Sequence, residues 1–138
     1  MSDKEYLELT ERARNIRKEI LRLTHGASSG HPGGSLSIVE ILTVLYFMEM
    51  RINPLETKDE DRDRFVLSKG HAAPALYATL KERGFLEDAD MQGFRQVEGI
   101  LQGHPDMKKI PGVDMSTGSL GQGVSAARNR KKNENSQE

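Results

Sequence analysis

Between Ile38 and Met48 the chain is apolar at every position except Glu40 and Thr43. Such a run, read as a helix opening near Ser37, presents hydrophobic surface on nearly every side. It must therefore be buried around most of its circumference. The chain has 138 residues, the size of one domain. One domain of that size rarely encloses a helix so completely, so the sequence implies a covering surface from outside the chain. Ser37 and Glu40 have the spacing of a capping box at the helix start.

The packing partner nearest in sequence is an amphipathic helix from Lys4 to Leu23. Leu9, Ala13, Ile16, Ile20 and Leu23 recur at spacings of four and three and share one face. Ser2 with Glu5 forms a capping box, and Gly26 suits the residue beyond the C-terminal cap. Residues 51–64 are polar and end in a run of alternating charges, which reads as a solvated connection. Phe65-Val66-Leu67 is the one β-strand seed. A third helix follows Pro74 and stops at Gly84, Pro74 suiting a first-turn position because its missing N–H would be unpaired there. A short helix is expected from Asp88 to Arg95. Residues 99–123, rich in Gly and punctuated by Pro, read as loops.

Composition narrows the function classes. Twenty basic residues against 21 acidic give a net charge of -1, unlike the plainly basic balance of a nucleic-acid or membrane-surface binder. No cysteine is present, so disulfides, thiolate nucleophiles and cysteine-based zinc sites are excluded, consistent with a reducing cytoplasm. The N-terminus lacks an apolar signal region and no segment is long enough to span a bilayer. The last eleven residues contain no apolar side chain and carry a net +2, leaving -3 over residues 1–127. That segment, 128–138, is expected to be a disordered polar tail.

Three of the four histidines stand beside glycines: His31 in Gly30-His31-Pro32-Gly33-Gly34, His71 in Lys69-Gly70-His71-Ala72, and His104 in Gln102-Gly103-His104-Pro105. Glycine admits close approach of backbone to a ligand, and an imidazole can donate to a phosphate or exchange a proton with a hydroxyl near neutral pH. Any one of these histidines alone reads as a turn residue; three together point to a site. No pair of histidines or carboxylate cluster has metal-ligand spacing, so no metal residue is expected. The loop Ser116-Thr117-Gly118-Ser119-Leu120-Gly121-Gln122-Gly123 has neither the dinucleotide glycine order nor a P-loop Gly-Lys-Ser/Thr. From residues alone, the chain is a soluble α/β fragment whose loops suit an anionic ligand.

Read in order, Ser29-Gly30-His31-Pro32-Gly33-Gly34-Ser35, Asp63-Arg64-Phe65-Val66-Leu67-Ser68-Lys69-Gly70-His71-Ala72, Gln102-Gly103-His104-Pro105 and residues 116–123 resemble transketolase, in particular the N-terminal subunit of its split form. The resemblance covers roughly residues 4–127. It implies transfer of a two-carbon ketol unit between phosphosugars with thiamine diphosphate and Mg2+, in pentose phosphate metabolism. It also implies an incomplete three-layer α/β/α thiamine diphosphate-binding fold, mostly helical in the part present; complete, it would be a parallel sheet covered by helices on both faces, with the ligand at a subunit interface. By resemblance, His71 contacts the cofactor's diphosphate, Gly118 presents backbone to its aminopyrimidine, and Leu120 packs beside its rings. His31 and His104 resemble the histidines that bind substrate hydroxyls and assist proton transfer.

The family pattern continues beyond Gly123 to a Gly-Asp-Gly motif and an asparagine that hold the metal, and neither occurs here. The expectation is a partial cofactor-binding domain over 1–127 whose abrupt change at Arg128 looks like a truncated or frameshifted end. The activating glutamate belongs to a separate C-terminal subunit, the implied partner, alongside a homo-oligomer. The chain alone is expected to bind the cofactor weakly or not at all and to show no ketol transfer. The rival readings are a non-catalytic fragment and a phosphosugar- or anion-binding module.

Overall fold

The computed structural model describes residues 1–134. Its longest helix, α1 (Asp3–Gly26), opens as its sequence dictates: the Ser2 N–H donates to the Glu5 carboxylate at 2.6 Å, and the Glu5 N–H donates to Ser2 Oγ at 3.3 Å. Ala13, Ile16, Ile20 and Leu23 are buried along its inner face. The helix runs three residues past Leu23, and Ala27 rather than Gly26 is its cap. The left-handed turn beyond it is taken by Ser28, at φ 46°.

The helix enclosed on every side is α4 (Ala73–Arg83), in which each residue from Ala73 to Leu80 is buried. The small side chains of Ala73, Ala75 and Ala78 let neighbouring elements approach closely, while Tyr77 and Leu80 fill the remaining volume. Pro74 sits in the first turn, and Gly84 at φ 97° ends the helix by donating to the carbonyl of Leu80. A left-handed cap of this kind is what glycine supplies without a Cβ penalty.

The apolar run 38–48 behaves differently from its sequence expectation. It follows α2 (Pro32–Leu36) and is divided into α3 (Val39–Val44) and a π-helical turn (Leu45–Glu49). Val39, Leu42 and Tyr46 are buried, but Ile41 is 60% exposed, Val44 41% and Met48 45%. The reason is geometric: α1 and α4 pack on α3 from one side and leave the other open. Ser37 does not cap it. Its hydroxyl donates to Gly34 O at 3.0 Å and accepts from Lys69 Nζ at 2.9 Å.

The expected α/β class, an incomplete three-layer α/β/α fold, is corrected by the structure. Among the described residues there is no β-strand; the elements are helices joined by long loops. Residues 63–67 run without assigned secondary structure and without a ladder partner. The Phe65 N–H donates to the Asp114 carboxylate at 2.8 Å, and the Asp63 N–H to Arg51 O at 3.0 Å. A β-branched, aromatic triplet favours extended backbone, but a sheet also needs a second strand whose amides and carbonyls face it. Single side-chain and loop contacts take that place here. Phe65 rests edge-on against Tyr46, ring centroids 5.7 Å apart.

Helix α5 (Asp88–Gln92) stops short of Arg95, and α6 (Gln122–Glu134) crosses the 127/128 boundary; residues 135–138 of the polar segment lie outside the described residues. Among the described residues no helix is long and apolar enough to cross a membrane.

Candidate functional site

The site is assembled where loops meet at the start of α4. Gly70–Ala72 forms a 3-10 turn leading into that helix and carries His71. His31 directly precedes α2, and its ring lies edge-on to that of His71, centroids 5.1 Å apart at 70°. A Cβ at Gly34 would stand 3.3 Å from His71 Nε2, so the glycine makes room for the imidazole. Lys69 locks the two loops together: its ammonium donates to Gly34 O at 2.7 Å and to Ser37 Oγ at 2.9 Å. Burial holds the Lys69 pKa below its ordinary value.

The Gly-rich loop closes the other side. A Cβ at Gly70 would fall 2.7 Å from the carbonyl carbon and oxygen of Thr117 and 2.9 Å from Gly118 N. Backbone therefore touches backbone at this point, and only glycine permits it. A Cβ at Gly118 would meet His104 Cδ2 at 3.4 Å. The loop of His104 is anchored from beneath, where Tyr77 of α4 donates its hydroxyl proton to Gln102 O at 2.8 Å. Burial, with the Asp106 charge nearby, pushes the Tyr77 pKa well up, so it remains a donor.

His31, His71, His104 and Gly118 thus stand on one continuous patch. Leu120 lies at its edge, 69% exposed, just before α6. Three further residues belong to the same region and carried no assignment in the sequence. Lys69 is one. Arg95 adopts a left-handed φ of 59°, lies over the Phe94 ring at 5.8 Å, and sets its guanidinium where a Cβ at Gly103 would be 2.8 Å away. Asp114 is the third, buried against Arg62 and the Phe65 N–H on the segment that leads into the Gly-rich loop. Arg95 reads in sequence as the end of a helix, and Asp114 as one loop residue among many. Only the run Asp63-Arg64-Phe65, already part of a motif, hinted that the region around Asp114 was more than solvated chain.

Among the described residues, none of the three histidine rings makes a hydrogen bond within the chain, and Thr117 Oγ1 is buried with no partner. Imidazoles free of intrachain partners and a buried unpaired hydroxyl, beside glycine backbone, fit an anionic ligand such as the diphosphate of thiamine diphosphate. The metal does not fit in the same way. Among the described residues no group of three or more His, Cys, Asp or Glu side chains is placed to share an ion. A surface depression of about 620 Å³ lies beside the site, lined by Leu21, Arg22, His25 and Pro32 among others. It opens outward at the end of α1, away from the contact between Gly70 and the Gly-rich loop.

Comparison with known proteins identifies the class. Residues 10–136 match the family described as transketolase, thiamine diphosphate binding domain. The chain belongs to this family. Mouse transketolase is 45% identical over 119 residues, which is 86% of this chain and 19% of that protein. The 6-deoxy-6-sulfo-D-fructose transketolase subunit of a Clostridium species is 46% identical over 121 residues, 88% of this chain and 44% of the relative. The solved structure of transketolase from Leishmania mexicana superposes with a TM-score of 0.81 at 37% identity, covering 85% of this chain and 18% of that one. The chain thus spans about a fifth of the length of the mouse enzyme.

Proposed function

We propose that the chain supplies part of the thiamine diphosphate site of a ketol-transferring enzyme, together with histidines that face the sugar substrate. The observation that supports this reading is the convergence of the histidine loops and the Gly-rich loop at Gly70, with imidazole and hydroxyl groups left unpaired around it. His71, held against Gly34, donates to the diphosphate. The backbone at Gly118 faces the aminopyrimidine, and the exposed Leu120 covers the cofactor rings. His31 and His104 hold sugar hydroxyls and move protons at their oxygens, a task for which imidazole is suited near neutral pH. Thiamine diphosphate, when bound, supplies the electron sink that breaking a sugar C–C bond requires. Magnesium finds no ligand set among the described residues.

On this proposal phosphosugars are the substrates, and turnover requires a transketolase C-terminal subunit and assembly into a homo-oligomer. The relatives described as transketolase subunits support a divided enzyme. The test is calorimetric titration with thiamine diphosphate and MgCl2, repeated for His71→Ala, and a ketol-transfer assay after adding a C-terminal subunit. Weak binding that His71→Ala lowers further, with turnover lost in His31→Ala and His104→Ala, is the expected result. Phosphosugar binding without any response to the cofactor would favour an anion-binding module instead.

A further inference from the structure

Asp114 is the most enclosed acidic side chain in the structure's loops, with 2% of its surface exposed. It gathers three partners. Arg62, itself 8% exposed, donates to Oδ1; Arg64 approaches the same oxygen at 3.7 Å; and the Phe65 N–H donates to Oδ2 at 2.8 Å. Arg62 in turn donates to the carbonyls of Thr57 at 2.9 Å and Asp63 at 3.1 Å. Two members of the charge run, Arg62 and Arg64, are therefore turned onto one buried carboxylate, while Lys58 to Asp61 are exposed.

An ion pair this buried contributes little net stability compared with an apolar pair, because desolvation offsets the attraction. What it does supply is geometry. Phe65 opens the segment that reaches Gly70 and His71, and Asp114 opens the one that reaches Thr117 and Gly118. The two segments leave this contact in the same direction and meet again where Gly70 presses on the Thr117 carbonyl. Between them, the Asp114–Phe65 bond does what a sheet ladder would do. It fixes how far one segment is advanced along the other.

We infer that Asp114, with Arg62, is a positioning pair: it sets the register between the segment bearing His71 and the loop bearing Gly118, and so governs cofactor affinity without touching the cofactor. The affinity part rests on the binding site proposed above; the register part does not. A misplacement of about 1 Å in a positioned group can cost up to a hundredfold in function, so a loss of about tenfold or more in affinity is expected.

The test compares three isotope-labelled chains by NMR: the wild type, Asp114→Asn, and Arg62→Met combined with Asp114→Leu, which leaves no charge buried alone. Without cofactor, the amide signals of Gly70, His71, Thr117 and Gly118 are expected to move in both variants while those of α1 stay in place. With thiamine diphosphate and MgCl2 added to millimolar levels, the titration midpoint is expected to rise at least tenfold in both, even where the paired variant melts near the wild-type temperature. Unmoved amides in a folded variant overturn the inference, and so do moved amides with an unchanged midpoint. If neither variant folds, Asp114 is a stability residue and the inference fails. A wild type that ignores the cofactor refutes the binding site instead, and the amide comparison then decides the register claim by itself.

Discussion

Replacing Gly70 with alanine probes the contact on which the site depends. The new methyl carbon would lie 2.7 Å from the Thr117 carbonyl and 2.9 Å from Gly118 N. These are backbone atoms, so no side chain can rotate out of the way. Inserting a methyl into a tight contact typically costs about 1–3 kcal/mol. Alanine's better helical propensity returns up to about 1 kcal/mol. Because the clashing atoms are backbone, the upper part of the packing range, about 2–3 kcal/mol, applies. The net loss expected is about 1–2 kcal/mol, which for a domain of this size lowers the melting temperature by roughly 3–7 °C. Gly33→Ala is the matched control: it lies within α2, and its Cβ would meet nothing within 4 Å. Thermal unfolding followed by circular dichroism should show a clear drop for Gly70→Ala and none for Gly33→Ala. Cofactor binding should weaken only in the former. Equal melting temperatures for the two variants would refute the close backbone approach between Gly70 and Thr117.

Further outcomes follow from the same contacts. Tyr77→Phe removes the only side-chain donor to Gln102 O seen among the described residues and should cost about 1–2 kcal/mol, measured by urea unfolding, with the His104 ring signals displaced. Glu5 is held below its ordinary pKa of 4.5 by hydrogen bonds from the Ser2 backbone and hydroxyl. Its capping contribution is therefore complete above pH 4.5 and lost as the pH falls through the depressed value. Amide protection factors in the first turn of α1, corrected for the intrinsic pH dependence of exchange, should fall over that range, and Glu5→Gln should remove that fall. Deleting residues 128–138 should shift stability by no more than about 0.5 kcal/mol, since Arg128 and Asn129 are exposed; a larger fall in melting temperature would mean that this segment packs.

Helices were legible wherever period and caps agreed. The spacing from Ala13 to Leu23 and the Ser2–Glu5 box gave α1, and Pro74 with Gly84 bracketed α4. The apolar content of 38–48 was a poorer guide, because composition reports a demand for burial and not whether this chain meets it. Ile41, Val44 and Met48 remain open. Phe65-Val66-Leu67 misled for a related reason. Strand propensity is local, whereas a ladder depends on a partner that no residue spacing announces. The site histidines could be found because glycines flank them. Arg62 and Asp114 could not, since a buried ion pair between residues 52 apart in sequence has no local signature.

The central claim is that the three histidine loops and the Gly-rich loop form one binding surface for thiamine diphosphate. The most direct measurement is a map of amide and imidazole shifts as thiamine diphosphate with MgCl2 is titrated to millimolar concentration, read against thiamine alone. The account predicts concerted shifts at Gly34, His71, Thr117 and Gly118, with His71 responding to the diphosphate form far more than to thiamine. Shifts confined to the depression around Arg22 and His25, or none at any of the four residues, would contradict it.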